Sequence, residues 1–523
     1  MASLTMDTHL KTLSGNFARV ELDSVERFGC YSRLHFEDRE FTNIEELAHA
    51  GRLAHLLKDS GVRPGDRVFV VLPNSPDLTA AFHAVWMIGA VIAPIMPTWT
   101  ADEILPVLAN GEPACVLTFP LIAPRIHAAL KALALDAKLL VFGATDVEGA
   151  INVSPLLRSA TPIETPEDRS ASDLALLLYT SGTTAVPRGA MITHGNLESS
   201  IDSMCRLNYD IPPGPMLHAL PLSHSFGLLL LNLANKWGCK SILLRQFEPT
   251  RVLESVERHG VAYAPVVPTM LMYLLQHPQL GRFNLKSLRR VISGGAALPE
   301  ALRAAFEKAV GCRVEQGYGL SETLAVVAAY GEHDDYRVGS AGRAAPGVVI
   351  RILDSEDRPL GARLPGEICV GGNHVTAGYW RDPEATSAAF ADGYLRTGDI
   401  GYTDQDGFLY ITDRKKDLII KGGENVSPRE IEEALHAHPA VAAAAVVGIP
   451  DALFGENICA VLQLKPGAEV TAEEIRTFAT RHVGKFKTPA AVEFWLELPR
   501  NFTGKIWKRA VRARLLARDA AKA

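Results

Sequence analysis

Tyr179-Thr180-Ser181-Gly182-Thr183-Thr184-Ala185-Val186-Pro187-Arg188-Gly189 lies between two apolar runs, at 174–178 and 190–192. Four of its residues are Ser or Thr and two are glycines, so little bulk keeps backbone N–H and hydroxyl groups from an anion, and a nucleotide's phosphates fit best. It is not a Walker loop. That motif needs a Gly-Lys pair followed by Ser or Thr and then a helix, whereas here the single basic residue, Arg188, stands between Pro187 and Gly189 ahead of an apolar run. The flanking runs predict a loop joining two strands. Taken alone, the string reads equally as a polar surface hairpin, and its companions along the chain must decide.

The chain has 523 residues, 47% hydrophobic and 21% charged, which is more than one core supports and predicts two or more domains. A net charge of -6, with Lys and Arg scattered, offers no basic field for nucleic acid. The seven cysteines, from Cys30 to Cys459, are odd in number and widely spaced, which fits reduced thiols in the cytoplasm. Residues 1–16 lack a basic head followed by an apolar stretch, and no apolar run approaches the length of a membrane span; the run at 226–231 reads as buried core.

Short apolar runs alternate with helical patterns, the rhythm of parallel β/α units. Thr42-Asn43-Ile44-Glu45 forms a capping box for a helix ending near Gly61. Strands are predicted at 68–72, 91–95, 115–118 and 262–266, and helices at 101–108, 249–259 and 299–309. From about Val338 the rhythm turns to Gly-rich β segments at 348–353, 366–370 and 407–411. After the charged stretch 413–417, Ser427-Pro428-Arg429-Glu430 predicts a second capping box, 441–447 a strand, and Thr471-Ala472-Glu473-Glu474 a third box. The Ala/Arg/Lys-rich tail after Arg512 reads as a frayed helix. The fold class is α/β: a large N-terminal domain of β/α sheets plus a β-rich subdomain at 1–412, and a small C-terminal α+β domain at 413–523.

Four further segments carry chemistry. In Gln316-Gly317-Tyr318-Gly319-Leu320-Ser321-Glu322-Thr323, a ring can stack on adenine, a hydroxyl can meet a phosphoryl oxygen, and a carboxylate can hold the Mg²⁺ that accompanies ATP. Thr397-Gly398-Asp399 offers a carboxylate to ribose hydroxyls. Asn501-Phe502-Thr503-Gly504-Lys505 presents a point charge on a glycine-supported turn. His224 lies among apolar residues in Pro221-Leu222-Ser223-His224-Ser225-Phe226-Gly227, where a core histidine is the plainer reading.

Together these segments resemble, in order and spacing, the ANL superfamily of adenylate-forming enzymes, in its AMP-forming acyl-CoA synthetase branch. The resemblance runs from the helix at Thr42 to Lys505 and includes the block GYLRTGDIGYTDQDGFLYITDRKKDLIIKGGENVSPREIE. It implies that Thr180, Ser181, Gly182, Thr183, Thr184 and Arg188 grip the β- and γ-phosphates. Gly295 and Ala296 would line adenine and the acyl pocket, and Tyr318 would stack on the base. Ser321 would touch the α-phosphate, Glu322 with Thr180 would hold Mg²⁺, and Asp399 and Arg414 would hold the ribose.

By the same resemblance, Lys505 bridges the carboxylate and the α-phosphate, and His224 sits at the acyl pocket and thiol entrance. Lys416 is the hinge about which the small domain turns after adenylate formation, bringing Lys421, Gly422 and Gly423 to the thiol tunnel. ATP, Mg²⁺ and coenzyme A are the implied cofactors. The expected partners are a small-molecule carboxylic acid and CoA, or a carrier protein's phosphopantetheine, with the protein a monomer or homodimer.

Amino-acid-activating relatives place an aspartate just after the position of His224, where this chain has Ser225, Phe226, Gly227 and four leucines; an apolar acid is favoured, fatty ahead of alicyclic or aryl. Val266-Val267-Pro268-Thr269-Met270-Leu271 also looks like the acyl-CoA synthetase branch. Two positions depart from the family: Ala185 where glycine is usual, and Arg188 where lysine is usual. They motivate the alternative of a weakened relative that binds acyl and nucleotide without efficient turnover. Luciferase-type oxygenation is a further alternative, and would need an unusual substrate.

Overall fold

The computed structural model describes residues 15–180, 187–207, 214–451, 453–500 and 506–520. Two seven-stranded, mainly parallel sheets form its larger part. In the first, the strands Arg67–Val71, Val91–Pro94, Cys115–Thr118, Lys138–Val141 and Leu174–Thr180 run parallel, and Arg188–Thr193 closes one edge antiparallel to Leu174–Thr180. The quoted loop therefore does join two strands. The second sheet includes Ser32–Phe36, Met216–His218, Ser241–Leu243, Tyr263–Val266, Arg290–Ser293 and Arg313–Gln316, parallel to one another, with Arg39–Thr42 antiparallel to Ser32–Phe36 at one edge.

One apolar cluster draws side chains from both sheets and from the helices Asn43–Asp59, Pro76–Met87 and Ser225–Trp237. Helices buried against sheets on more than one side must be apolar over most of their surface, and Leu78 to Met87 is buried without interruption. Leu228 to Leu231 are likewise core residues. The leucine run thus reports packing and says nothing about the acid.

A third sheet is antiparallel and includes Ser340–Ala344, Val349–Leu353, Gly366–Gly371, Tyr394–Thr403 and Phe408–Arg414. The fourth is built from Ile419–Lys421, Glu424–Val426, Val441–Asp451, Gly455–Leu464 and Ala491–Phe494, with the helices Pro428–His436 and Ala472–Val483 packed in its core cluster. Thr42 and Thr471 cap their helices through complete capping boxes.

Two local expectations need correction. Ser427 accepts the Glu430 N–H at 3.2 Å, but the Glu430 carboxylate pairs with Lys487 instead of closing the box. The C-terminal helix Lys508–Ala520 is packed rather than frayed: Val511 and Leu515 are buried against the strands Val441–Asp451 and Gly455–Leu464, and Arg512 bonds the Gly448 carbonyl at 2.8 Å. Composition showed the polar face of this helix, and only the sheet behind it explains the apolar one. All seven cysteines are free thiols, and six are buried. Among the described residues no helix is long and apolar enough to cross a membrane.

Within the first core lies a polar cluster. Arg33 pairs with Glu46 at 2.9 Å, Thr79 donates to the same carboxylate, and Glu21 lies 3.0 Å from His83. Burial pushes the Glu21 carboxyl from 4.5 up to about 8, against the pull of Arg33. A folded-state value above the unfolded one means that folding takes up a proton. The stability Glu21 contributes is therefore complete below pH 4.5 and is lost as pH rises through about 8. Wild-type protein is expected to lose about 1.4 kcal/mol per pH unit through this group between pH 4.5 and about 8, and nothing further above that. Thermal melts from pH 5 to pH 8 check this: Glu21→Gln, which cannot ionise, should flatten the decline.

Candidate active site

In parallel sheets, loops at the carboxyl ends of strands are the usual place for ligands, and here segments from three sheets meet. Strand Leu174–Thr180 of the first sheet runs into the hydroxyl-rich loop. Thr180 ends that strand, whereas Ser181, Gly182, Thr183, Thr184 and Ala185 lie outside the described residues, as does Lys505. In the second sheet, Arg290–Ser293 leads into Gly294, Gly295 and Ala296, and Arg313–Gln316 leads into Gly317, Tyr318 and the short turn Ser321–Thr323. That turn packs against both strands of the hairpin, so Glu322 stands beside the hairpin although the two come from different sheets.

Gly319 makes this turn possible. A Cβ there would overlap the Ala325 backbone, which folds back so that the Ala325 N–H donates to the Leu320 carbonyl at 2.7 Å. Ser321 and Glu322 are half-buried at its tip. Glu322 Oε1 accepts the Tyr379 hydroxyl at 2.9 Å, and the Glu322 carbonyl accepts the Thr376 N–H at 2.7 Å.

Tyr318, Asp399 and Arg414 come together. The Tyr318 hydroxyl donates to Asp399 Oδ2 at 2.6 Å, and Arg414 Nε donates to Oδ1 at 3.1 Å. Asp399 and Arg414 are cross-strand partners in the antiparallel sheet, whereas Tyr318 arrives from the second parallel sheet. Asp399 is only 4% exposed, so both donors satisfy a carboxylate that has little water to bond. Burial, and then the Asp399 charge, hold the Tyr318 hydroxyl well above the ordinary phenol range; at neutral pH it is a donor.

His224 caps helix Ser225–Trp237, its Nδ1 accepting the Phe226 N–H at 3.4 Å. The ring of Phe226 abuts Gly294, where a Cβ would come within 3.0 Å of it. This contact brings the His224 turn alongside Gly295 and Ala296, which are exposed.

Strand Phe408–Arg414 leads into the fourth sheet through residues 415–418, with Lys416 exposed. The preceding Asp413 is buried and accepts the Ser427 hydroxyl at 2.6 Å and the Arg429 N–H at 3.1 Å, a carboxylate seated at the N-terminus of helix Pro428–His436. Lys421 is buried, donating to the Phe486 carbonyl at 2.9 Å. Gly422 and Gly423, with φ of +59° and +86°, form the two-residue turn of its hairpin, a geometry that favours glycine.

Sequence reasoning missed Tyr379 and Asp382. Arg188, which opens strand Arg188–Thr193, lies with its Nε 3.2 Å from Asp382 Oδ2, while Tyr379 reaches Glu322. The signal was present in Gly378-Tyr379-Trp380-Arg381-Asp382-Pro383, where Asp-Pro marks a helix start.

Comparison with known proteins gives this arrangement a family. Residues 23–380 match the model of the AMP-binding enzyme, and residues 430–505 that of the AMP-binding enzyme C-terminal domain. The long-chain-fatty-acid–CoA ligase of Bacillus subtilis is 34% identical over 517 residues, covering 93% of this chain and 92% of the relative. A feruloyl-CoA synthase of an Amycolatopsis species is also 34% identical, over 90% of this chain and 94% of its own. The crystal structure of ATP-bound MatB from Rhodopseudomonas palustris superposes with a TM-score of 0.88 at 31% identity, covering 95% of this chain and 98% of the other. The chain is a member of the AMP-binding, adenylate-forming enzyme family of the ANL superfamily.

Proposed function

We propose that the protein activates an apolar carboxylic acid with ATP, releasing pyrophosphate, and transfers the acyl group to the thiol of coenzyme A. The observation that carries this reading is the convergence of Tyr318, Asp399 and Arg414 beside Glu322: a buried carboxylate held by a hydroxyl and a guanidinium, next to a second carboxylate and a hydroxyl-rich hairpin. Ribose hydroxyls need an acceptor, and Asp399 is fixed as one. Two relatives at the same 34% identity act, by name, on a long-chain fatty acid and on a feruloyl acid, so identity alone does not choose the acid. The lack of an acidic residue after His224 favours an uncharged acyl group, with fatty acids ahead of aryl or alicyclic ones.

The chemistry needs positioning rather than a protein nucleophile. The acid's carboxylate oxygen attacks the α-phosphorus, the bond to the bridging oxygen breaks, and pyrophosphate leaves with its electron pair. The CoA thiolate then attacks the acyl carbon and AMP departs. Lys505 meets the negative charge at the α-phosphate, and the loop at 180–184 with Arg188 receives the outer phosphates. His224, its Nδ1 engaged as an acceptor, faces the acyl side.

Glu322, with Thr180, would hold Mg²⁺, which neutralises phosphate charge when bound. The donor set fits: a hard cation wants oxygens, and one protein carboxylate plus substrate phosphates is the common arrangement. Residues 413–523 act as the mobile domain with its hinge at Lys416. The segment of Lys421 and the exposed Gly422 and Gly423 would then face the thiol.

Carboxylate-dependent ATP–pyrophosphate exchange, screened over fatty and aryl acids, is expected with an apolar acid and lost in Lys505→Ala. No exchange with any acid would refute adenylation, and exchange without thioester on adding CoA would move the acceptor to a carrier protein. Lys505→Ala should still form thioester from synthetic acyl-AMP; equal loss of both half-reactions would contradict the rotating domain. Tyr318→Phe keeps the ring but releases one oxygen of Asp399. It should raise KM for ATP about five- to tenfold, with little change in kcat, in steady-state assays.

A further inference from the structure

Strand Arg188–Thr193 is bordered by a second segment, residues 376–382. The Ala377 N–H donates to the Met191 carbonyl at 3.1 Å, the Met191 N–H to the Gly378 carbonyl at 2.9 Å, and the Trp380 N–H to the Gly189 carbonyl at 2.8 Å. This backbone register sets side chains of the segment against two groups of the site. The Tyr379 hydroxyl donates to Glu322 Oε1 at 2.9 Å, and the Arg188 guanidinium lies 5.7 Å from the centre of the same ring. Asp382 uses its two oxygens differently: Oδ1 caps helix Pro383–Ala389 through the Ala385 N–H at 2.9 Å, and Oδ2 lies 3.2 Å from Arg188 Nε.

We propose that residues 376–382 are a positioning frame for MgATP, in which Tyr379 orients Glu322 toward the cation and Asp382 orients Arg188 toward the triphosphate. The proposal rests on the reading of Glu322 and Arg188 as the metal and phosphate ligands. A ligating carboxylate needs one oxygen held so that the other points in one direction, and a hydroxyl donor does that. A guanidinium is planar and carries three nitrogens, so a carboxylate at Nε fixes its plane while the two terminal nitrogens extend beyond it. A lysine in that place has a single nitrogen to divide between carboxylate and phosphate. The Asp382 frame thus accounts for arginine at 188, where the family usually has lysine. Arg188 and Asp382 are each more than a third exposed at the side chain, 39% and 34% respectively being their values to solvent, so the pair acts through direction more than through strength.

Binding of the α,β-methylene analogue of ATP, followed by calorimetry at fixed and at varied Mg²⁺, separates the frame from the site it serves. Asp382→Asn retains an oxygen for the helix cap and removes the acceptor at Arg188. It should weaken analogue binding about two- to fivefold, and should have no further effect in an Arg188→Lys background. Tyr379→Phe keeps the ring under Arg188 and should raise the Mg²⁺ concentration needed for half-maximal binding. If Arg188→Ala and Glu322→Gln both bind like wild type, the assignment of the ligands fails. If those two variants bind weakly while Asp382→Asn binds as well as wild type or better, or Tyr379→Phe leaves the Mg²⁺ dependence unchanged, the ligands stand and the frame is overturned. Should Asp382→Asn not fold, Asp382→Ser, which also caps, takes its place.

Discussion

The Asp399 carboxylate is the point on which the arrangement of the site depends. Buried at 4% exposure, it takes a hydroxyl from Tyr318 and a guanidinium N–H from Arg414. A buried charge that loses a partner is costly, by about 3–5 kcal/mol when the pair is broken from one side. The turn after strand Arg313–Gln316 and the end of strand Phe408–Arg414 are therefore held to one carboxylate. The parallel-sheet half of the molecule and the approach to the fourth sheet cannot settle independently.

The same device recurs around the site. Glu322 is held by Tyr379, Asp382 divides its oxygens between a helix cap and Arg188, and Asp413 sits at the start of helix Pro428–His436 with Ser427. Each carboxylate joins segments from different elements. An adenylation site has to be built this way, because the substrate brings most of the charge and the protein's task is to set directions before it arrives.

Local signals were legible where they belonged to one element. The hairpin at 174–193 followed from two apolar runs around a hydroxyl-rich loop, and the capping boxes at Thr42 and Thr471 followed from residues three apart. The box at Ser427 was half right, because Lys487 takes the Glu430 carboxylate. The terminal helix read as frayed because Val511 and Leu515 have their reason only in the strands behind them. Tyr379 went unseen because its partner Glu322 lies 57 residues earlier. No periodicity connects two such positions.

By itself, the sequence determined the family, the order of the β/α units and the chemical types gathered for the reaction, because motifs and hydrophobic periods are written in contiguous residues. It also showed that Ala185 and Arg188 depart from the family pattern. The tertiary structure decided which residues meet: that Tyr318 donates to Asp399, that Leu228 to Leu231 serve the core, and that Asp382 lies against Arg188. Those facts depend on sheets crossing in space and on which buried charges find donors, and a hydrogen bond between distant segments leaves no spacing in the chain to be read.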